Sequence, residues 1–470
     1  MRLPSLNPRR WFRDQQPKHV RRFDAAAGGR RWDWSPSFGS IGQETLAAVG
    51  SIRSRARYFA ANNSWAAKGV LELTTGAVGS GITAASQHPN PETRKALGDY
   101  FVQWAATCDA DGLTNWGGIQ AGAVRAKIVD GEALVHMPIT DTGLKLRQIP
   151  SEMLDDSKTG ELANGARDIS GVRFDAKGNR LGYWILPQKP TDVFATSGPS
   201  VLVPADEMCH VFQPIGAGQV RGISWLAPIM LRLAEHDGLE DALLLGAKIA
   251  AMHAGFLIDQ NGAASNSPYD GTTDANGILE SGLEPGTLKI LPTGFDIRFS
   301  SPQQAQQLVD FGKMQLRAIA AGLGVPEHLL TGDLSQANYS SLRAALVAYR
   351  ARLEALQFNI LVPQLLDRVW RRAITFGILS GQIEAPDFAA NAADYFRVDW
   401  FPPPIAHVDP EKEIAAEVAA ISAGLTSRRQ VVASRGYSVE TLDAEIAADR
   451  QREVALGLNF DAAPKGPSDA

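Results

Sequence analysis

The sequence predicts an α+β fold in which a β-rich module and a smaller β-rich insertion are set among long helices. Residues 41–83 and 91–107 carry the apolar spacing of helices, whereas residues 120–215 alternate with the period of strands. Further along, two helical runs flank a stretch of short strand-like segments, and a long helix follows them. Helices and strands that fall in separate blocks along a chain are typical of α+β proteins.

Composition bounds the class of protein. The 470 residues allow about three domains. A net charge of -5, from 46 Lys+Arg against 51 Asp+Glu, excludes a basic nucleic-acid coat. Two cysteines, Cys108 and Cys209, exclude a disulfide scaffold and a Cys-based zinc site. We expect no secretory signal and no membrane span, because the longest apolar stretch, residues 242–258, is interrupted by Lys248 and His253.

The first 35 residues form a basic arm in which arginines interleave with aromatic residues. A solvated arm that packs on a neighbouring subunit is the favoured interpretation. A DNA-binding arm that holds phosphates and stacks on bases is the alternative. The residues concerned are Arg9, Arg10, Arg13, Arg21, Arg22, Arg30 and Arg31 with Trp11, Phe12, Phe23, Trp32 and Trp34.

Within the β-rich module, two β-hairpins are predicted. Asp130-Gly131 separates residues 126–129 from residues 133–136, and a short Asp-Gly turn between apolar runs is a strong hairpin signal. The Lys177-Gly178-Asn179 turn predicts the second hairpin in the same way.

Ahead of the module, Asn90 and Pro91 predict the start of a helix, as its cap and its first residue.

After the module, the pattern returns to long helices. Ser224 is the predicted N-cap of a helix over 225–253, and a second helix is predicted over 301–321. The third and longest helix should kink at Pro363. Its buried seam alternates spacings of four and three, at Leu342, Leu346, Tyr349, Leu353, Leu356 and Ile360.

Signals for enzyme chemistry are weak. The turn from Gly216 to Gly222 follows a strand and precedes a helix, but its GxGxxxG spacing differs from that of a dinucleotide loop. A flexible turn is the favoured interpretation, and a nucleotide-dependent enzyme is the alternative. The acidic run Glu235, Asp237, Glu240 and Asp241 could hold a metal or serve acid–base chemistry, but a solvated helix face is the favoured interpretation. We therefore predict no catalytic residue, no metal site and no cofactor.

Five motifs, in one order, resemble those of the portal proteins of tailed bacteriophages, closest to the lambda-type family. Each is modestly specific, but together they cover roughly residues 20–458. The five are Arg55–Trp65 (RARYFAANNSW), Asp130–Glu132 (DGE), Arg221–Pro228 (RGISWLAP), Gly324–Leu330 (GVPEHLL) and Ala423–Ser427 (AGLTS). The first motif continues at Ala77–Ile82, and the last continues at Arg435–Tyr437.

The resemblance implies a portal-like fold with named regions. A mixed α/β wing is expected first, then a two-helix stem that flanks a small β-rich clip, and then a tunnel loop, a long kinked helix and a helical crown. A flexible arm and a disordered tail should lie at the two ends. The expected boundaries are 1–35 for the arm, 36–223 for the wing, 224–253 for the first stem helix, 254–300 for the clip, 301–322 for the second stem helix, 323–407 for the tunnel loop and long helix, 408–458 for the crown and 459–470 for the tail.

The same resemblance implies a structural function without catalysis. A homo-oligomeric ring, typically of twelve subunits, would stand at the capsid vertex of the virion and pass double-stranded DNA during packaging and ejection. Its expected partners are the terminase large subunit, head-completion or adaptor proteins, and the major capsid and scaffold proteins. Assembly is expected in the host cytoplasm, without a membrane. A slightly acidic chain suits DNA passage, because each phosphate contact adds sequence-independent affinity.

Carried onto this sequence, the resemblance selects three groups of site residues. The tunnel loop, residues 331–340, should turn polar side chains toward DNA. Stem charges should touch phosphates or pair across subunits, with Lys313 or Arg317 opposite Asp237 or Glu240. In the clip, Glu280 and Glu284 should contribute to terminase docking. The predicted DNA-facing residues are Asp333, Ser335, Gln336 and Asn338.

Overall fold

A computed structural model describes residues 39–188, 198–251, 305–335, 338–404 and 410–458, and the backbone of four short strands between 255 and 299. The chain divides into two units. One is Ile229–Gly332, and the other comprises the residues before and after it. The arm and the tail predicted at the two ends fall outside the described residues.

The N-terminal helices begin where the sequence predicts, but the second ends at Val78, and residue 83, the predicted end of the helical region, lies in a strand. α1 (Ile41–Asn62) and α2 (Ser64–Val78) are separated by Asn63, whose side chain accepts a hydrogen bond from the Ala66 amide. α3 (Pro91–Ala106) starts at Pro91, and the Asn90 side chain caps it. Both asparagines satisfy amides that the first helical turn leaves without a partner.

The first predicted hairpin is wrong. Residues 126–129 are the last turn of a helix, α4 (Trp116–Val129), which the Asn115 side chain caps. Asp130 ends this helix, and Gly131 follows at φ 93° and leads into strand β2 (Glu132–His136). The error has a physical cause: α4 is buried around much of its surface, so its apolar run lacks the polar face that marks a helix.

Two antiparallel sheets form the β-rich module. A three-stranded sheet has the order β11-β2-β5, and a five-stranded sheet has the order β10-β9-β8-β7-β6. The second predicted hairpin is confirmed, because β8 pairs with β9 across the turn at Gly178. The strands are β5 (Arg147–Ile149), β6 (Gly160–Glu161), β7 (Arg167–Ile169), β8 (Val172–Phe174), β9 (Arg180–Ile185), β10 (Val201–Pro204) and β11 (Met208–Phe212).

Two short strand pairs and one apolar core complete this part of the unit. β3 (Ile139–Thr140) and β4 (Gly143–Leu144) form a small hairpin. β1 (Thr83–Ser86) pairs with β16 (Val398–Phe401), which ties the N-terminal helices to the C-terminal half of the chain. The core contains residues of both larger sheets, namely Leu134, Val172, Phe174, Tyr183, Ile185 and Met208.

The unit Ile229–Gly332 contains the two helices predicted as the stem. α5 (Met230–Ala251) begins later than predicted, because a short 3₁₀ turn, Ala227–Ile229, comes first, and the Ser224 hydroxyl accepts a hydrogen bond from the Leu226 amide at 3.1 Å ahead of that turn. α6 (Ala305–Leu323) and the short α7 (Glu327–Thr331) follow. Between α5 and α6 the described strands are β12 (Gly255–Asp259), β13 (Thr272–Thr273), β14 (Leu279–Glu280) and β15 (Phe295–Phe299), with β12 paired to β15 and β13 to β14.

The centre of the long helix contains a π-helical stretch that the sequence did not predict. α8 (Tyr339–Leu356) continues through a wider π-helical stretch, Gln357–Leu366, into α9 (Asp367–Leu379). Pro363 lies within that stretch, where the wider hydrogen-bond spacing accommodates a residue that cannot donate to an α-helical ladder. The remaining helices are α10 (Phe388–Tyr395), α11 (Pro410–Ser422), α12 (Arg428–Ser434) and α13 (Val439–Leu456).

Candidate functional site

Glu132, the first residue of β2, is fully buried at the centre of a cluster of donors. The Arg221 Nε lies 2.9 and 3.0 Å from its two carboxylate oxygens, and an Arg53 Nη lies 3.0 Å from one of them. His210 Nε2, at 2.9 Å, and the Gly222 amide, at 3.1 Å, bind the other oxygen. Burial opposes ionisation, but the charge of Arg221 and these hydrogen bonds hold the pKa of Glu132 well below its usual range.

His210 is held in one neutral tautomer. An Arg180 Nη lies 2.9 Å from Nδ1, and because a guanidinium only donates, Nδ1 must accept. The proton therefore lies on Nε2, which donates to Glu132. Burial lowers the pKa of His210, although the bond to Glu132 opposes the shift. The ring is thus a neutral link between a buried carboxylate and Arg180.

A second ion cluster lies beside the first. The Arg57 guanidinium binds both oxygens of Asp130 at 2.7 Å and one oxygen of Glu152 at 2.6 Å. These hydrogen bonds, Asp130 foremost, raise the pKa of Arg57. Arg57 lies within the first motif of the resemblance, Asp130 to Glu132 are the second, and Arg221 begins the third. The fold therefore brings three separate motifs together.

The last turn of α4 holds the segment that follows Arg221. The Trp225 amide donates to the Ile128 carbonyl at 2.9 Å. The Lys127 ammonium lies 3.4 Å from the centre of the Trp225 ring and donates to the Gln213 side chain at 3.0 Å. Lys127 is 2% exposed, and burial lowers its pKa to about 7. These contacts fix the chain just before it leaves this unit.

The predicted tunnel loop contains two local hydrogen-bond motifs. Gly332 ends α7 in the left-handed conformation, and Asp333 accepts from the Ser335 amide at 2.9 Å. Asn338 forms a capping box with Ser341 at the start of α8. Asp333, Ser335 and Asn338 are exposed, whereas Gln336 lies outside the described residues. Whether they face DNA stays a prediction, but the capping role of Asn338 is one that the sequence reading missed.

The predicted stem charges lie on exposed or half-buried helix faces. Arg317 binds Glu327 of its own chain through both carboxylate oxygens, at 2.9 and 3.0 Å. Glu240 Oε1 lies 3.7 Å from His236 Nδ1, and these two side chains and Asp237 have candidate ligand atoms within 4.8 Å of one another. Contacts of Lys313 or Arg317 with DNA or with another subunit stay a prediction.

The other predicted features can be placed briefly. Glu280 is the last residue of β14, and Glu284 lies outside the described residues. The turn from Gly216 to Gly222 follows a strand of an antiparallel sheet, so it lacks the parallel βαβ setting of a dinucleotide loop. Among the described helices, none combines the length and apolarity needed to cross a bilayer.

A family model decides the identification. The model for the lambda family of phage portal proteins matches residues 27–357, which include all the residues of the two ion clusters. The chain belongs to this family of portal proteins. Three of the five motifs that carry the resemblance, which is now confirmed, come together around Glu132 and Asp130.

Individual portal proteins are similar to this chain along much of its length. A probable portal protein of Halomonas phage phiHAP-1 is 25% identical over 428 residues, covering 87% of this chain and 81% of the relative. The portal protein of Escherichia phage N15 is 22% identical, covering 92% and 90%. Portal protein B of Escherichia phage lambda is 24% identical, covering 66% and 62%.

Two solved structures show limited similarity to this chain. A chain in the neck of a native gene transfer agent particle has a TM-score of 0.43 at 15% identity, covering 89% of this chain and 95% of that one. An HK97-family portal protein from Corynebacterium diphtheriae has a TM-score of 0.33 at 14% identity, covering 61% and 82%.

The contacts around Glu132 and Asp130 are ones that sequence reasoning missed. The DGE motif was expected at a hairpin turn, but its two acids belong to two ion clusters. Arg57 and Arg221 lie in two motifs and the acids of DGE lie in a third. Because buried charges need partners, this combination could have suggested that they pair. Cys108 and Cys209 are both buried and unbridged, in agreement with the exclusion of a disulfide scaffold.

Proposed function

We propose that this chain is the portal subunit of a tailed phage or a related particle. A closed ring of its copies, twelve in number, forms the channel at the capsid vertex through which double-stranded DNA enters and leaves. Membership in the portal family over residues 27–357 is the observation that carries this proposal. The chain acts as a structural channel, and its site residues guide and support rather than catalyse.

Electrostatics support passage rather than capture of DNA. The net charge is -5, and the described part of residues 331–340 exposes Asp333, Ser335 and Asn338 but no cationic side chain. A lining with few cations limits counterion release, so DNA gains little affinity for any one position and can move. We assign Asp333, Ser335, Gln336 and Asn338 to the surface that meets DNA.

The same ring binds one protein during packaging and others after packaging. During packaging, the terminase large subunit binds the predicted clip, and we assign Glu280 and Glu284 to that contact. Afterwards, head-completion or adaptor proteins replace it, while capsid and scaffold proteins surround the wing. Assembly takes place in the host cytoplasm. Family membership and the acidic side chains in the predicted clip are what support these assignments.

Packaging and retention assays test the proposed DNA-facing loop. Asp333→Asn with Ser335→Ala should leave ring assembly intact and change packaging yield or DNA retention. Asn338→Ser belongs in the same set, because serine can still cap α8, whereas alanine would cost about 1 kcal/mol of helix stability. Exposed Lys95→Ala on α3 is the control. Normal packaging and retention in all loop variants would remove this loop from the DNA path.

A further inference from the structure

The three C-terminal helices, α11, α12 and α13, bury little apolar surface. All their residues lie in the described part of the chain, and of these only Val432, on α12, is buried. Helices in proteins owe most of their stability to an apolar face packed on a neighbour, and a helix as short as α12, with seven residues, is marginal alone in water. Apolar burial therefore gives these helices a weak attachment to the body, meaning the described residues of the larger unit that precede α11.

Contacts among the three helices themselves are well defined. Arg428 of α12 binds Asp443 of α13 through both carboxylate oxygens, at 2.6 and 3.1 Å, and the adjacent Leu442 is half-buried. Arg435, which follows α12, binds Glu417 of α11. Because these contacts tie the three helices to one another, they can move as one element.

A cluster of exposed polar side chains joins this element to the body. Arg429 of α12 donates to the Gln87 side chain at 2.7 Å and lies 3.6 Å from Asp399, at the β1–β16 strand pair. Glu440 of α13 lies 3.9 Å from Arg429 and 3.9 Å from Arg94, which is on α3. The four charged side chains are 32–52% exposed. These five residues form the docking hub, in which charges of opposite sign alternate between the helices and the body.

Two other contacts lie beside the hub. Between α8 and α11 there is a cavity of about 230 Å³, which shows that α11 is not densely packed on the body. Gly436 approaches the body closely, since an added Cβ would lie 3.0 Å from the Pro402 carbonyl oxygen. Salt should not weaken the contact at Gly436, so the response of docking to ions depends on the hub. The charged residues that line the cavity are Arg343, Arg350, Glu413 and Glu417.

Dissolved ions weaken a hub of this kind. Its ion pairs are 3.6 and 3.9 Å long, beyond hydrogen-bond distance, so they act by attraction through space. The Debye length falls from about 10 Å at 0.1 M salt to about 3 Å at 1 M, which screens exposed charges much more than buried ones. The buried pair of Arg221 and Glu132 should therefore keep its strength at salt concentrations that weaken the hub.

We propose that α11–α13 dock reversibly on the body as one element, and that ionic strength sets the docked fraction through the hub centred on Arg429 and Glu440. Low salt favours the docked state, and high salt frees the three helices together. The device belongs to each single chain, so it does not depend on the ring proposed above.

Hydrogen exchange of the full chain, measured by mass spectrometry, tests this device. Once undocked, the short α12 should open more often, so its amides report the docked fraction. Raising NaCl from about 0.1 M to about 1 M should speed their exchange about threefold relative to amides of the buried α4. Rings and smaller species are measured separately, so that a neighbouring subunit is not mistaken for the body. An α12 whose exchange relative to α4 is the same at both salt concentrations would overturn the proposal.

Two adjacent arginines provide a variant and its matched control. Arg429→Gln removes the centre of the hub, so it should speed α12 exchange about threefold at low salt and flatten the response to NaCl. Arg428→Gln should keep that response, because Arg428 binds Asp443 within the element and not the body. An equal loss of the response in both variants would place the salt effect inside the three helices and overturn docking through the hub.

A variant on the body side gives an independent readout. Asp399 lies on β16, and its side chain is 51% exposed, so Asp399→Asn should leave the fold intact. It should nevertheless speed exchange in α12, a distant part of the sequence. Adding Arg429→Gln to Asp399→Asn should give no more exchange than Arg429→Gln alone, since both remove the same attraction. Fully additive effects would show that Arg429 and Asp399 act separately and would overturn the hub.

Discussion

The Arg221 guanidinium and the Glu132 carboxylate form a buried ion pair across 89 residues of sequence, with the Arg221 Nε within 3.0 Å of both oxygens. Their side chains are 1% and 0% exposed. Arg221 also donates to the Ser170 carbonyl and hydroxyl at 3.1 Å. One residue thus ties the entry of β2 and the β7–β8 turn to the segment that leads toward α5.

Removing one partner of this pair should destabilise the larger unit strongly. Arg221→Met leaves a buried carboxylate with fewer donors, a change that typically costs about 3–5 kcal/mol. Urea unfolding monitored by circular dichroism measures the loss. Arg147→Met is the matched control, because Arg147 and Asp111 form an ion pair with both side chains about half exposed, and such pairs contribute below about 1 kcal/mol. Equal losses in the two variants would contradict the assigned role of Arg221.

His210 should make stability depend on pH in the mildly acidic range. Burial lowers its pKa in the folded protein, whereas the unfolded side chain titrates near about 6.5. Below about pH 6.5 the unfolded chain therefore binds more protons, and the free energy of unfolding falls as the pH is lowered. Glutamine can donate to Glu132 and accept from Arg180, so His210→Gln should flatten this dependence between about pH 6.5 and 5. An unchanged slope in that variant would contradict a neutral buried His210.

Lys127 should make stability depend on pH in the neutral to alkaline range. Burial lowers its pKa to about 7 in the folded protein, against about 10.4 in an unfolded chain. Between these values the unfolded chain binds more protons, so stability should rise from about pH 7 to 10. Urea unfolding of Lys127→Met should show a smaller rise, whereas Lys68→Met, at a surface position beside Glu72, should behave like the parent. Parallel pH profiles for the parent and Lys127→Met would refute the lowered pKa.

Gly131 should tolerate no side chain. A Cβ there would lie 2.5 Å from the Ile223 carbonyl carbon and 2.6 Å from the Ser224 amide nitrogen, at a φ of 93°. Gly131→Ala should therefore prevent the approach of the two backbones and abolish soluble expression or lower the unfolding temperature sharply. Gly178→Ala is the control: its φ is 87°, but no atom lies within 4 Å of the added Cβ, so only the backbone strain of about 1–2 kcal/mol applies. Similar losses would show that strain, not the close approach, decides the outcome.

How far the sequence predicts the fold depends on the kind of local signal. Asn90 marks a helix start correctly because a cap acts through hydrogen bonds within a few residues. Gly178 marks its hairpin because the turn is exposed and both strands alternate. The hairpin predicted at Asp130-Gly131 was wrong because the preceding residues belong to the buried helix α4, whose apolar run does not show a helical period.

The ion clusters show why the site was less predictable. Arg53, Arg57 and Arg221 read as ordinary surface charges in sequence, since nothing local distinguishes a buried arginine from a solvated one. Only the long-range fold places them at Glu132 and Asp130. The resemblance to the family was recognisable from motifs that include Arg57, Asp130, Glu132 and Arg221, even though pattern reasoning did not reveal their pairing.

Electron microscopy of the purified protein, with its mass from light scattering, tests the central claim most directly. We expect closed rings with a central hole and a mass near twelve times the 50.5 kDa chain. A protein that stays monomeric or dimeric, even with the scaffold and shell proteins of its own phage present, would contradict a ring-shaped portal.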